Sequence, residues 1–259
     1  MTLKFEPVPP IDTIRALRAR GGALDPTFSW LDQWQQDHAA MFTVAKSAGY
    51  DILGDIFAAL EQALSEGKTF RDFARELTPL LQAKGWWGRQ LVTDPQTGDL
   101  VPARLGSARR LRTIFDTNMR VSYAAGHWAS FERNKPRRPW LRYVALLDDA
   151  TRRSHRARHN LVLPVDDPYW DHWAPPCGWN CRCTLQNLSD RDVDRLKREG
   201  ERLVFDPPPL DFRPFVNKRT GEVTQVPDGI DPGWDYNPGK AGWRAVMDAA
   251  EAKIGSSEI

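Results

Sequence analysis

The sequence predicts an α+β fold in which a helical N-terminal module precedes a long helix packed on a small β-sheet, with extended N- and C-terminal arms. Apolar residues recur at helical spacing before residue 85 and again over residues 107–131. Apolar, β-prone runs follow at residues 140–147 and 181–186, and proline clusters near both ends of the chain. The 259 residues, 41% of them apolar, are enough for a core of one large or two small domains.

Residues 1–24 are predicted to be an extended arm, because Pro7, Pro9 and Pro10 forbid a helix before Ile11. A helical module is expected over residues 25–104. Its first helix is predicted at 27–47, after an Asp-Pro start. The apolar stripe of this helix comprises Leu31, Trp34, His38, Met41 and Ala45.

Two more helices complete the predicted module. The second helix ends at Gly67, and its apolar stripe comprises Leu53, Ile56, Phe57, Leu60 and Leu64. The third begins at a capping box formed by Thr69 and Asp72, and Pro79 is expected to kink or end it. Its buried face is predicted to comprise Phe70, Phe73, Leu77, Leu80 and Leu81. Two pairs of short extended runs around turns are predicted at 90–103 and 216–226.

The central domain is predicted at residues 105–200, where the helix over 107–131 packs on a small sheet. That sheet is built from 140–147 and 181–186, and 202–205 can add a further strand. The segment that carries the cysteines is expected to lie beside the 140–147 strand. Residues 201–259 are predicted to be a largely extended C-terminal region, because a run of prolines prevents regular structure after Asp206.

The middle of the chain is basic, although the formal net charge of the whole chain is only +2. Between Arg104 and Arg158 there are 14 Lys or Arg residues and 4 Asp or Glu residues, so the rest of the chain is net acidic. Such a segment can contact nucleic acid or an acidic protein, or neutralise its own neighbours within the fold. Candidates for a patch that binds duplex DNA without sequence preference are Arg109, Arg110, Arg112, Arg137 and Arg138.

The three cysteines of the chain lie in one short stretch and are Cys177, Cys181 and Cys183. If the last two lie in an extended segment, their sulfurs point to one face and Arg182 points to the other. There Arg182 can meet Asp148 or Asp149. The sequence therefore predicts a structural cysteine motif that stabilises the central domain.

The sequence is compatible with three states of these thiols: reduced, bound to a metal, or oxidised to a disulfide. Free cysteines are usually buried, which favours reduced thiols in the core. A zinc site would take its ligands from His155, His159, Cys177, Cys181 and Cys183, but the second Cys pair of most zinc sites is missing. A disulfide from Cys177 to one of the others is disfavoured, because the chain is expected to be made in the cytosol. We expect reduced cysteines, with neither metal nor cofactor.

The alternative class is an enzyme or a toxin-like domain. Its candidate acid and base groups are Asp148, Asp149, His155 and His159, and Cys183 with His155 is a candidate nucleophile pair. The carboxylates are equally typical of a turn and helix start. A zinc deaminase is excluded, because no histidine is followed two residues later by Glu. The sequence shows neither a phosphate-binding loop nor an apolar run long enough for a membrane span, and we expect no catalysis.

The order and spacing of several motifs resemble the Mu F-like minor head proteins of tailed bacteriophages, in the wider phage head morphogenesis family. These motifs are His38-Ala-Ala-Met-Phe-Thr-Val-Ala, Gly85-Trp-Trp-Gly, Thr113-Ile-Phe-Asp-Thr-Asn-Met-Arg-Val-Ser-Tyr-Ala-Ala-Gly, Arg152-Arg-Ser-His155, Pro175-Pro-Cys-Gly-Trp-Asn-Cys-Arg-Cys and Gly233-Trp-Asp-Tyr-Asn-Pro-Gly. Many members of the wider family resemble Pro-Pro-x-His-x-Asn-Cys-Arg-Cys, and this chain has Gly178 at the position of that histidine. A metal site that uses the histidine therefore does not carry over.

The resemblance implies a minor capsid protein of the virion, present in few copies at or near the portal vertex. It implies a role in procapsid assembly in the host cytoplasm and in the entry or exit of DNA. The implied partner is the portal protein, the major capsid protein or both, with no membrane partner. Viral double-stranded DNA is a further candidate partner because of the basic segment.

Overall fold

The computed structural model describes residues 9–47 and 49–255, and it confirms the α+β class. The helices of these residues are α1 Ile11–Gly21, α2 Asp37–Ala40, α3 Tyr50–Glu66, α4 Phe70–Ala83, α5 Ala108–Asn134, α6 Arg153–Arg156, α7 Trp170–Trp173, α8 Asp190–Arg198 and α9 Pro238–Gly255. The strands are β1 Arg89–Thr93, β2 Leu100–Arg104, β3 Trp140–Val144, β4 Val162–Pro164, β5 Thr184–Leu188, β6 Phe212–Val216 and β7 Val223–Pro227.

The expected N-terminal arm is helical over α1, so the extended prediction is wrong for that part, and residues 1–8 lie outside the described residues. Pro10 immediately precedes α1, a position that needs no backbone N–H donor. The helix buries Ile14 and Leu17 and packs against α5. A Cβ at Gly126 of α5 would lie 2.4 Å from Thr13 Oγ1, so the two backbones approach closely there.

The predicted helix at 27–47 is wrong, because only α2 forms there. The Asp32 carboxylate accepts hydrogen bonds from two backbone N–H groups at 2.8 and 2.9 Å, which closes a turn instead. Gln35 has a φ of 47°, outside the helical region. Trp34 stacks on Phe215 with ring centroids 5.4 Å apart. Long-range aromatic packing and a local turn therefore override the helical spacing.

The predicted second and third helices are confirmed as α3 and α4. Gly67 ends α3 with a left-handed φ of 68°, and Thr69 with Asp72 forms the capping box of α4. Pro79 lies inside α4, so it does not end the helix. Leu80 was expected in the core, but it is 42% exposed.

The long helix α5 joins two hydrophobic cores. Leu111 and Ile114 belong to the core of the N-terminal helices, whereas Trp128 and Phe131 belong to the core around the sheet. The core of the N-terminal helices therefore continues past residue 104 into the first half of α5. The C-terminal region, expected to be extended, contains a helix, α9, that packs along α5, so that prediction is wrong for residues 238–255.

The central sheet has the strand order β4-β3-β5, with antiparallel pairs throughout. The second predicted strand begins later than expected, at Thr184, so the Cys181–Cys183 segment is a buried loop that enters β5 beside β3. Of residues 202–205, Val204 forms an isolated bridge with Leu161. The two predicted extended pairs are the hairpins β1-β2 and β6-β7. Within the described part of the chain, no helix combines the length and apolar character that crossing a membrane requires.

Candidate functional site

A buried cluster of one histidine and two cysteines lies beside the central sheet. His155, Cys181 and Cys183 are 2%, 5% and 8% exposed. His155 Nδ1 lies 3.7 Å from the Cys181 sulfur and 3.5 Å from the Cys183 sulfur, and all three ligand atoms lie within 4.8 Å of one another. The three cysteines are free thiols.

Three elements bring these side chains together. The short helix α6 carries His155, and the loop that enters β5 carries both sulfurs. The central strand β3 carries Tyr143, whose hydroxyl lies 3.2 Å from His155 Nδ1. The predicted alternation of the Cys-Arg-Cys segment is confirmed, since Cys181 and Cys183 face His155 whereas Arg182 meets Asp148.

The backbone around Gly229 orients the histidine ring. His155 Nε2 lies 3.1 Å from the Gly229 carbonyl oxygen, and a carbonyl can only accept a hydrogen bond. We therefore assign the ring hydrogen to Nε2, which leaves the lone pair of Nδ1 facing the two sulfurs. Gly229 has a φ of +92°, and a Cβ there would lie 2.5 Å from the Cβ of Ser154, so glycine allows this close approach.

The neighbouring thiols of Cys181 and Cys183 have pKa values shifted in opposite directions. A hydrogen bond from the Cys183 thiol lowers the pKa of Cys181, whereas burial opposes this effect. The pKa of Cys183 is raised, because its thiol donates to Cys181 and because it is buried. Burial also raises the pKa of Cys177.

A cavity of about 220 Å³ reaches the cluster from the surface. Its lining includes His155, Cys181 and Cys183, together with Thr151, Arg152 and Asn180. The three ligand atoms are therefore buried from bulk solvent, but a small ion or molecule can approach them from this side.

Two ion pairs hold the rim of this cavity. Arg182 donates to both carboxylate oxygens of Asp148 at 2.6 Å, and the hydrogen bonds from Arg182 lower the pKa of Asp148 to about 2. Arg152 donates to Asp231 at 2.7 Å and to the carbonyl oxygen of Trp179 at 3.1 Å. Together they tie the cysteine loop to α6 and to the segment after β7.

The position of the missing family histidine is filled from another part of the chain. Gly178 has a φ of +157°, and a Cβ there would lie 2.4 Å from the Asp231 carboxylate and 2.7 Å from Arg152 Nη1. The same Asp231 oxygen accepts a hydrogen bond from the Trp179 N–H at 2.8 Å. A side chain at position 178 would therefore displace this ion pair.

Two of the predicted zinc ligands lie outside the cluster. His159 Nδ1 accepts a hydrogen bond from the backbone N–H of Ala145 at 3.2 Å. Cys177 is fully buried in the core but does not belong to the group of ligand atoms within 4.8 Å. Sequence reasoning missed Tyr143, Gly229 and Asp231. No local pattern marks these three residues, because each meets the cluster only through the tertiary fold.

The candidate DNA-binding arginines do not share one exposed patch. The Arg110 guanidinium donates to the carbonyl oxygens of Arg104 and Leu105 at 2.8 Å and lies over the Trp86 ring. Burial lowers its pKa to about 10. Its assignment to an exposed patch is therefore wrong, because the guanidinium is occupied within the fold.

The other four arginines lie at the two ends of α5. Arg112 pairs with Asp116 at 2.8 Å near the start of the helix, and Arg138 donates to the carbonyl oxygen of Asn187 at 2.7 Å beyond its end. Arg109 and Arg137 are exposed at these same two ends. The 27 residues of α5 rise about 1.5 Å each, so the ends are about 40 Å apart. The expected single patch is therefore divided into two separate sites.

Comparison with known proteins identifies a family that this chain resembles. The family described as Phage Mu protein F like protein matches residues 54–186, which include the His155/Cys181/Cys183 cluster. Over 247 residues the chain is 37% identical to protein F of Escherichia phage Mu, whose name describes it as a capsid assembly protein, covering 90% of this chain and 55% of that relative. It is 35% identical over 228 residues to the Mu-like prophage FluMu F protein of Haemophilus influenzae, covering 83% of this chain and 53% of that relative.

The chain thus spans little more than half the length of these curated relatives. No solved structure matches it. The family match covers just over half of the chain, from α3 to β5, and the similarity to the two relatives extends through most of the remainder. The chain therefore belongs to the Phage Mu protein F-like family.

Proposed function

We propose that this chain is a structural component of a tailed-phage head that acts in capsid assembly. The observation that carries the proposal is the 37% identity, across 90% of the chain, to a phage Mu protein named for capsid assembly. The match to a Mu-like prophage protein supports it. Because the chain spans about half of each relative, this role is proposed for the region that they share.

We propose a non-enzymatic role for this region. Both carboxylate oxygens of Asp148 are occupied by Arg182, so this candidate acid does not orient His155. The groups around the ring nitrogens of His155 include the carbonyl oxygen of Gly229, the hydroxyl of Tyr143 and, at 3.5 Å, the guanidinium of Arg152. These contacts suit a side chain that stabilises the fold better than one that transfers protons to a substrate.

Within the head, we place the chain at or near the portal vertex in few copies, in contact with the portal protein or the major capsid protein. Assembly takes place in the host cytoplasm, and the protein stays in the virion. The exposed arginines at the two ends of α5 are proposed to contact the DNA that passes this vertex. The finer placement rests on the resemblance to minor head proteins.

The test is to follow the protein through head assembly in a phage or prophage that encodes it. We expect mass spectrometry to find the chain in purified procapsids and in virions, at far fewer copies than the major capsid protein. An early stop codon in its gene should abolish DNA-filled heads, and the intact gene supplied in trans should restore them. Normal yields of infectious particles without the chain, or its absence from purified procapsids, would contradict the proposal.

A further inference from the structure

We propose that His155, Cys181 and Cys183 bind one Zn²⁺ ion, through His155 Nδ1 and the two cysteine sulfurs, with the fourth position facing the cavity. The sequence alone favours metal-free thiols, because Cys-x-Cys has no second cysteine pair. The structure supplies the third ligand from α6, 26 residues before Cys181. The proposal is independent of the role of the protein in the head.

The distance from each sulfur to the histidine nitrogen fits a tetrahedral zinc ion. With Zn–S of about 2.3 Å and Zn–N of about 2.0–2.1 Å, a tetrahedral angle puts sulfur and nitrogen about 3.6 Å apart. The two sulfur-to-Nδ1 distances are 3.7 and 3.5 Å. Two thiolates and an imidazole also form a donor set that suits zinc better than the oxygen-preferring Mg²⁺ or Ca²⁺.

More hydrogen-bond donors surround His155 Nδ1 than this nitrogen can accept from. The hydroxyl of Tyr143 and the thiols of Cys181 and Cys183 all lie within 3.7 Å of Nδ1. Because Nδ1 has a single lone pair, it can accept well from only one of these three donors. A cation at the centre satisfies the nitrogen and both sulfurs at once, and it leaves the Tyr143 hydroxyl free to donate to Cys183.

The surroundings of the histidine are those of a zinc ligand. Zinc-bound histidines usually donate their second ring N–H to a carbonyl or a carboxylate, which fixes the tautomer. Here Nε2 faces the Gly229 carbonyl oxygen at 3.1 Å, and the ring packs edge-on against Trp173 at 5.5 Å between centroids. The 220 Å³ cavity gives an ion access and leaves room for a water molecule as the fourth ligand.

The test is the metal content of the intact chain purified without chelators. We expect about one zinc ion per chain. Cys181→Ser and His155→Gln should each lose it. The matched controls are His159→Gln and Cys177→Ser, which change a neighbouring histidine and a buried cysteine outside the cluster, and both should retain the ion. Loss of zinc in Cys177→Ser would indicate that Cys177 is the fourth ligand. That result would contradict a fourth coordination position that is open to the cavity.

A second measurement avoids variants that fail to fold. After zinc is removed from the wild-type chain, added Co²⁺ should produce the near-ultraviolet charge-transfer band of thiolate ligands. Chelation should also lower the melting temperature, and zinc should restore it. A well-folded wild-type chain without zinc, with three titratable thiols and no thiolate band with Co²⁺, would overturn the proposal. Zinc retained by both cluster variants would place the ion elsewhere and overturn it too.

Discussion

At the scale of single residues, Arg182 decides which way the cysteine loop faces. Its guanidinium meets both oxygens of Asp148 at 2.6 Å, a planar two-point contact that resists rotation. Cys181 and Cys183 face His155 on the other side of this segment, so fixing Arg182 outward helps to keep both sulfurs turned inward. The ion pair on the rim therefore positions the sulfurs in the interior.

The ion pair between Arg182 and Asp148 makes the stability of the protein depend on pH. Arg182 lowers the pKa of Asp148 to about 2, below the value of about 3.9 in an unfolded chain. A carboxyl whose pKa is lowered by folding stabilises the protein above its unfolded pKa, and this stabilisation is lost as pH falls through the folded pKa. We expect Asp148→Asn to lower the melting temperature at pH 7, and its difference from the wild type to disappear between about pH 4 and pH 2.

Circular dichroism melts over this pH range would measure the effect. The control is Asp149→Asn at the exposed neighbouring position, which should melt close to the wild type at every pH. A deficit for Asp148→Asn that stays constant down to pH 2 would show that the charge of the carboxylate is not what stabilises the loop.

At the scale of secondary structure elements, α5 packs closely against α1 and α9 at positions occupied by glycine. A Cβ at Gly126 would lie 2.4 Å from Thr13 Oγ1 and 2.9 Å from the backbone nitrogen of Thr13. On α9, a Cβ at Gly242 would lie 2.8 Å from the Cβ of Ala125. Glycine is unfavourable inside a helix, so its presence at these crossings is explained by the close approach of the backbones.

A pair of glycine substitutions tests this explanation. Gly126→Ala should lower the free energy of unfolding by about 1–3 kcal/mol, because the added methyl group overpacks the contact with α1. The control is Gly54→Ala in α3, where, apart from the chain neighbours and the helix's own nearby backbone, no atom of the described structure lies within 4 Å of the added Cβ. There alanine should raise the free energy of unfolding by up to about 1 kcal/mol. Urea denaturation would measure the free energy of unfolding of both variants. An equal increase in both would contradict a close crossing at Gly126.

At the scale of the whole molecule, the position of the basic residues matters more than their number. Several arginines of the basic segment neutralise neighbours within the fold, as Arg142 does with Glu201 and Arg112 with Asp116. Arg109 and Arg137 are exposed at opposite ends of α5, about 40 Å apart by the rise of the helix. Arg109 and Arg137 therefore belong to separate exposed groups, one at each end of the helix.

The DNA contact can be tested on the purified chain. We expect weak duplex binding without sequence preference that falls steeply as salt rises. Arg109→Glu and Arg137→Glu should each weaken binding and reduce the log–log salt slope by about 0.9 for each phosphate that the variant no longer neutralises. Arg71→Glu on α4, outside the basic segment, removes the same charge from another exposed surface and should have less effect. Equal weakening by all three variants would indicate net charge alone, and unchanged binding would remove these arginines from the DNA contact.

What the sequence determined by itself is the set of features whose partners lie within a few residues. The capping box at Thr69 closes on Asp72, and Gly67 ends α3 through its own backbone. Such interactions are local, so their spacing is visible in the sequence. The strand β3, the two outer hairpins and the alternation of the cysteine segment were also predicted, because apolar β-prone runs, turn residues and the two-residue period of an extended chain are local patterns.

Only the tertiary structure decided the features whose partners are distant in the chain. Gln35 donates to Asp235, 200 residues away, in the region where a helix was expected, and α9 forms against α5 where an extended region was expected. His155 is aimed at the sulfurs by the Gly229 carbonyl, 74 residues later. Helical spacing and prolines describe only local preferences, and burial against distant residues can outweigh them. The chemistry of the cysteine cluster was therefore visible in the sequence as residue types, but its geometry depends on the fold.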